Sequence, residues 1–167
     1  MRIATINTDA GFLHDDKVGA YAYWIKGDGL LLRGSGIFKE PATSATDAEA
    51  KAVVNALVLL EQSGYKPEMI IVNRDNMGVW AGKKKGELGK MMAGILKRIK
   101  LRSIGPEHPN YHGDKYYQFR HVKAHLHTKN PRHWVNDWCD QQCKQQLKAW
   151  RKAQKTTNEQ TSRPAGH

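Results

Sequence analysis

Residues 2–11 read RIATINTDAG, a short segment rich in apolar and β-branched residues that leads into an acidic turn-like sequence. The run 2–8 has no charged residue after Arg2 and predicts a β-strand. The sequence Asp9-Ala10-Gly11 is typical of a turn, so we expect the strand to stop there. Asp9 is then either an ordinary turn residue or a functional carboxylate at the end of a strand.

The next two segments extend the strand pattern. Residues 18–26 carry three aromatic side chains, and the turn sequence Gly27-Asp28-Gly29 leads into a third strand over residues 30–39. Short connections between three strands predict an antiparallel meander. Gly34 and Gly36 weaken the third strand and are compatible with a β-bulge there.

The pattern then changes to alternating helices and strands. Thr46-Asp47-Ala48-Glu49 matches a capping box, followed by apolar residues at helical spacing, which predicts an amphipathic helix over residues 47–62. Continuous apolar character over residues 69–73 predicts a buried strand that pairs in parallel with an earlier one. Later segments predict a helix, a strand and a helix, at residues 87–101, 116–122 and 134–152. The element order is βββ-α-β-α-β-α, an α/β chain with a mixed five-stranded sheet and crossover helices.

The composition limits the class of protein. The chain has 167 residues, a formal net charge of +11 and two cysteines, which exclude a disulfide-rich secreted scaffold and favour a polyanionic partner. We find no signal peptide and no apolar run of the ~20 residues needed to cross a bilayer, so we expect a cytoplasmic protein without membrane contact, and a monomer. Residues 1–152 are expected to form one domain, and residues 153–167 a disordered polar tail.

Four carboxylates stand out because acidic residues are a minority in this basic chain. Asp9 follows the first strand, and Glu49 lies in the first helix. Asp75 follows the buried strand over residues 69–73, and Asp140 borders the apolar side of the last helix. Each has an ordinary alternative, as a turn residue, a helix cap or a solvated helix charge. The first three can converge over one edge of the sheet, where oxygen ligands select hard cations such as Mg²⁺. Asp137, one turn before Asp140, is the alternative ligand on the last helix.

Five motifs in order resemble those of the type 1 ribonucleases H and the wider ribonuclease-H-like nuclease superfamily. Thr8-Asp9-Ala10-Gly11 is similar to T-D-G-S, Asp75-Asn76 to D-S, and Val122-Lys123-Ala124-His125 to V-K-G-H. The other two matches are residues 46–49 with N-x-R-x-E-L and residues 136–140 with N-E-x-x-D. The resemblance spans about residues 3–146, and it implies a mixed sheet with helices on both faces.

The resemblance also implies a function and a site. It implies an endonuclease that hydrolyses the RNA strand of RNA/DNA hybrids with two Mg²⁺ ions, or Mn²⁺ in their place, leaving 5′-phosphate and 3′-hydroxyl ends. Asp9 would bridge the ions, Asp140 would hold the ion that activates water, and Glu49 and Asp75 the ion at the leaving oxygen. His125 would assist proton transfer or product release. Nucleic acid would contact residues on the same motifs and on a basic loop: Ser44, Asn76, Lys83, Lys84, Lys85 and Lys123.

Departures from the family pattern keep two other functions open. Ala45 and Thr46 stand where the family has asparagine or glutamine side chains that contact RNA 2′-hydroxyls, and the 2′-hydroxyl distinguishes RNA from DNA. A structure-selective DNA nuclease of the same fold, such as a junction resolvase, is therefore an alternative. A nucleic-acid-binding module without catalysis is the third hypothesis.

Two further constellations have a structural and a functional interpretation. Cys139 and Cys143, one helical turn apart, are expected in the core, although Zn²⁺ binding with nearby histidines (His121, His125, His127, His133) is the alternative. Trp80 and Trp134 are expected to pack in the protein, with stacking on a base or sugar as the alternative.

Overall fold

The computed structural model describes residues 1–74, 86–109, 111, 116–122 and 130–161. Five strands form one sheet in the order β3-β2-β1-β4-β5. The strands are β1 (Ile3–Leu13), β2 (Val18–Gly27), β3 (Leu30–Ile37), β4 (Met69–Arg74) and β5 (Tyr117–His121), and the helices are α1 (Ala45–Gln62), α2 (Glu87–Ser103) and α3 (Pro131–Thr161). Strands β1, β2 and β3 are antiparallel, whereas β4 pairs in parallel with β1 and β5 in parallel with β4. The predicted α/β class, with its mixed sheet and crossover helices, is confirmed.

The two faces of the sheet have separate cores. On one face, α1 and α2 cover Ala4, Ile6, Ile70 and Val72, and the apolar side of α1 forms the centre of that core. On the other face, Cys139 and Cys143 of α3 pack against Ala20 and Ala22 of β2. Helices therefore lie on both faces, because alternate residues of the central strands point to opposite sides. None of the described helices is long and apolar enough to cross a membrane.

Strand β1 is longer than the sequence predicted, so Asp9 lies within the strand and not in a turn that follows it. The predicted turn at residues 9–11 is instead continuous strand, paired with β2 from Thr5↔Lys26 to Leu13↔Val18. The parallel pairing with β4 stops earlier, at Asn7↔Asn73. Backbone hydrogen bonds to β2 extend the strand through a turn-like sequence, because such bonds do not depend on side-chain identity.

Strand β3 contains no bulge, contrary to the prediction. Its register with β2 is unbroken from Ala20↔Ile37 to Gly27↔Leu30. Gly34 and Gly36 lie opposite Tyr23 and Tyr21, and a Cβ on Gly34 would lie 2.5 Å from the Tyr23 Oη. The glycines thus make room for tyrosine rings that cross from the neighbouring strand.

The last helix continues past its predicted end, so the expected disorder from residue 153 is wrong as far as Thr161. Residues 151–161 are helical and fully exposed. Glutamine, lysine and alanine in this segment favour a helix, and the hydroxyls of Thr156 and Thr157 bond to carbonyls one turn earlier. The polar composition was a correct sign of solvent exposure, but not of a missing helix.

Candidate active site

Asp9 is a buried carboxylate at the place where β1 extends beyond β4. It lies two residues after Asn7, the last residue paired with β4, and opposite Ala22 of β2. Its side chain is 8% exposed. Strand alternation places it on the same face as Gly11, where an added Cβ would lie 2.7 Å from Leu147 Cδ1 and 3.6 Å from Cys143 Cβ of α3. Asp9 therefore faces α3 at the carboxyl end of the parallel pair β1 and β4.

Asp140 of α3 shares its electrostatic surroundings with Asp9. Its Oδ2 lies 2.8 Å from the Lys144 Nζ, one helical turn later. The hydrogen bond and charge of Asp140 raise the pKa of Lys144, and the charge of Asp9 raises it further. One ammonium group thus responds to both carboxylates, which β1 and α3 bring together from positions far apart in the sequence.

The two cysteines lie in the core beneath these carboxylates. Burial raises the pKa of the Cys139 and Cys143 thiols, and the charges of Asp9 and Asp140 raise both further. Both side chains lie in the apolar contact between α3 and β2 and are almost completely buried. Their predicted role as small core residues is confirmed.

Glu49 approaches the same end of the sheet from α1. Its charge raises the pKa of Arg74, against the stronger effect of burial, which lowers that pKa to about 10. Arg74 is the last residue of β4 and follows the Asn7↔Asn73 pair, so it lies level with Thr8, next to Asp9. Its guanidinium stacks on the Phe119 ring, with 4.5 Å from Cζ to the ring centroid.

The start of α1 corrects the predicted capping box. The N-cap is Ser44, whose Oγ accepts a hydrogen bond from the Asp47 amide at 3.0 Å. Asp47 Oδ2 accepts one from the Thr43 amide at 3.1 Å. Thr46 is thus an exposed residue of the first turn, because the chain enters the helix two residues earlier than predicted. Glu49 stands fifth in the helix, beyond the cap, so local capping does not explain its presence.

A pair of asparagines bridges β1 and β4 beside the site, and the sequence interpretation missed it. Asn73 Nδ2 donates to Asn7 Oδ1 at 3.1 Å, and both side chains are buried. The available signal was an amide in each of two otherwise apolar strands, at positions that parallel pairing brings opposite each other. Arg74 was missed too, although a cation directly after a buried apolar strand was a comparable signal.

The described residues contain part of the predicted site. Asp9, Glu49 and Asp140 are all at the end of the sheet where β4 stops, and Ser44 is at the start of α1. The remaining predicted residues lie outside the described ranges: Asp75, Asn76, Lys83, Lys84, Lys85, Lys123 and His125. Within those ranges no three His, Cys, Asp or Glu side chains gather closely enough to hold a metal ion.

Solved structures with the same arrangement of strands and helices include ribonucleases H. Ribonuclease H1 from the halophilic archaeon Halobacterium salinarum NRC-1 superposes with a TM-score of 0.55 and 14% identity, over 88% of this chain and 98% of that one. LC11-RNase H1, isolated from compost by a metagenomic approach, superposes with a TM-score of 0.54 and 21% identity, over 88% of this chain and 99% of that one. The chain has the ribonuclease H fold.

A second structure of LC11-RNase H1 contains an RNA/DNA hybrid. It matches with a TM-score of 0.53 and 20% identity, over 83% of this chain and 92% of that one. No family model matches the chain, and no curated protein matches it. At these identities the similarity establishes the ribonuclease H fold, and the chemistry has to be argued from the residues of this chain.

Proposed function

We propose that this ribonuclease-H-like domain is an endonuclease that hydrolyses the RNA strand of RNA/DNA hybrids, leaving 5′-phosphate and 3′-hydroxyl ends. The observation that carries the proposal is that buried Asp9 of β1 and Asp140 of α3 both act on one ammonium group, that of Lys144. In this fold the pair lies at the carboxyl end of the central parallel strands, where ligands of open α/β sheets collect. The hybrid bound by LC11-RNase H1 supports the choice of substrate.

The donor atoms at this site fit Mg²⁺. Asp9, Asp140 and Glu49 offer carboxylate oxygens, which are the ligands that Mg²⁺ prefers. We propose Asp9, Glu49, Asp75 and Asp140 as the residues that would hold two Mg²⁺ ions, or Mn²⁺ in their place. When bound, the ions would activate the attacking water and stabilise the leaving 3′-oxygen.

The protein's own contribution is to hold these carboxylates in place before the substrate arrives. Asp9 is fixed by strand pairing with β2, and Asp140 by its neighbour Cys139, which is fully buried against the sheet. Arg74 gives Glu49 a positive partner from β4. We propose His125 as the group that moves a proton or assists product release. The net charge of +11 attracts the polyanionic substrate.

A structure-selective DNA nuclease is the second candidate, and a specific observation favours it. Ala45 and Thr46 form the exposed first turn of α1, and neither side chain has an amide with which to bind a 2′-hydroxyl. The hydroxyl of Ser44, the residue before them, already accepts a hydrogen bond from the Asp47 amide as the helix cap. Its Oγ–H remains a possible donor to a phosphate.

The decisive experiment is cleavage of four end-labelled substrates with Mg²⁺: an RNA/DNA hybrid, duplex RNA, duplex DNA and a four-way DNA junction. We expect cleavage of the hybrid's RNA strand alone, and Asp9→Asn should abolish it. Asp28→Asn is the matched control, because Asp28 is exposed in the turn between β2 and β3 and its loss should leave cleavage intact. Junction cleavage would favour the second candidate, and binding without cleavage of any substrate would indicate a non-catalytic module.

A further inference from the structure

The exposed side of α3 beyond Asp140 carries a row of basic residues. Residues 141–158 contain five lysines and arginines and no aspartate or glutamate. Four of the five, which we call the α3 stripe, are Lys144, Lys148, Arg151 and Lys155. All four are exposed.

The α3 stripe is aligned along the helix and begins at the candidate active site. With ~100° and ~1.5 Å per helical residue, its members lie within an arc of about 80° that also contains Asp140, and they extend over about 16 Å. The first member, Lys144, lies 2.8 Å from Asp140. The row therefore leads from the candidate catalytic carboxylate outward into solvent.

Apart from the ion pair of Lys144 with Asp140, the α3 stripe lies outside the contacts that pack α3 against the sheet. Contacts of α3 with the sheet are made by Cys139, Cys143 and Leu147, and by hydrogen bonds of Gln142 and Gln146 to Ser35. Every residue from 151 to 161 is exposed. Like charges one turn apart, as at Lys144 and Lys148 or at Arg151 and Lys155, weaken a helix. A row of like charges that weakens the helix and lies outside its packed side calls for an anionic partner.

We propose that the α3 stripe binds the phosphate backbone of one strand of the nucleic acid, on the duplex that flanks the cleavage site. The inference rests on the proposed function for the identity of that nucleic acid. A nucleic-acid backbone fits better than a membrane surface, because alanine is the only apolar residue type in residues 151–161. A strand advances ~3.4 Å per nucleotide, so the stripe would follow about five phosphates.

The test is a salt titration of binding without divalent ions, so that no substrate is cleaved. Fluorescence anisotropy would measure the binding of three hybrids. One has about 8 base pairs, and each of the other two is lengthened by about 6 base pairs at a different end. The stripe variant is K148Q/R151Q/K155Q, which leaves Lys144 beside Asp140. The matched control, R2Q/K26Q/K66Q, removes equal charge from exposed residues at the opposite end of the sheet.

We expect the slope of log affinity against log salt to fall by roughly 2 to 3 in the stripe variant, since each lost phosphate contact contributes about 1. The gain in affinity from lengthening one end should disappear in that variant and persist in the control. Equal slopes for both triple variants would overturn the proposal. So would displacement of the hybrid by polyglutamate at equal charge, because the partner would then be an acidic polypeptide.

A second measurement does not depend on the folding of the variant. In the wild-type protein, amide hydrogen exchange of residues 151–161 should slow several-fold on addition of a long hybrid, but not of the short one. Unchanged exchange would overturn the proposal. If the salt slope falls in the stripe variant but the wild type cleaves no substrate, the proposed function is refuted and the binding role of the α3 stripe stands. If the wild type cleaves the hybrid but both triple variants have equal salt slopes, only the binding role of the α3 stripe is refuted.

Discussion

Asp9 is an acidic residue in a place that disfavours negative charge. It is 8% exposed, lies opposite Ala22, and raises the pKa of two buried thiols. A buried carboxylate needs compensation, and Asp9 Oδ1 accepts a hydrogen bond from the Ala10 amide at 2.9 Å. Lys144, which contacts Asp140 directly, adds a positive charge to these surroundings. A cation that binds here would add to this stabilisation, so stability and metal binding are linked at this residue.

Asp9→Asn should stabilise the metal-free protein, since it removes one of two neighbouring negative charges. We expect a gain of about 1 kcal/mol in the free energy of unfolding, or a Tm higher by about 2–4 °C in EDTA. Mg²⁺ or Mn²⁺ should raise the Tm of the wild type and have little effect on the variant. Scanning calorimetry of both proteins, with Asp28→Asn as control, measures this. An unchanged Tm in EDTA together with no response of the wild type to either ion would contradict it.

The start of α1 depends on one hydroxyl. Ser44→Ala removes the acceptor for the Asp47 amide and should destabilise the protein by about 1 kcal/mol. Thr46→Ala, two residues later, should change stability by less than about 0.5 kcal/mol because Thr46 is exposed and is not the cap. Urea unfolding of the two variants compares them directly. A larger loss for Thr46→Ala would mean that the helix starts where the sequence pattern had placed it.

The glycines of β3 make a second local arrangement that can be tested. Gly34→Val would place side-chain carbon against the Tyr23 ring and should cost about 1–3 kcal/mol. The cost should shrink in a Tyr23→Ala background, which a double-mutant cycle detects. Leu31→Val is the control, since Leu31 lies on the same strand and is 54% exposed. Equal costs in both backgrounds would show that the ring is not the obstacle.

At the scale of the molecule, α3 serves two purposes along its length. Its first half closes one face of the sheet, and its last eleven described residues, 151–161, extend from the domain with every side chain exposed. Burial of apolar surface is the main source of folding stability, so this extension should contribute almost nothing to it.

A chain that ends at Trp150 should therefore unfold within about 1 °C of the full chain, since burial changes little. Helical circular dichroism should decrease because the extension is absent. Its affinity for long hybrids should fall, as in the stripe variant. A Tm lower by more than about 4 °C, which corresponds to a loss of more than about 1 kcal/mol, would show that the extension packs against the domain.

Local patterns in the sequence determined the order of the elements and the approximate bounds of α1 and α2. Apolar spacing predicted α1 over 47–62 and α2 over 87–101, close to the observed Ala45–Gln62 and Glu87–Ser103. The continuous apolar run before Asp75 predicted the parallel strand β4. These features follow from residues near one another in the chain, which sequence periodicity records. The roles of Asp9, Glu49, Asp75, Asp140 and His125 all stay predictions.

Only the tertiary structure decided how those pieces meet. The length of β1 depends on backbone pairing with β2, and the choice of Ser44 over Thr46 as cap depends on where the chain enters α1. The neighbourhood of Asp9 and Asp140 depends on α3 lying against the sheet. Such features arise from backbone hydrogen bonds and from contacts between residues far apart in sequence, and neither leaves a periodic signal in the chain.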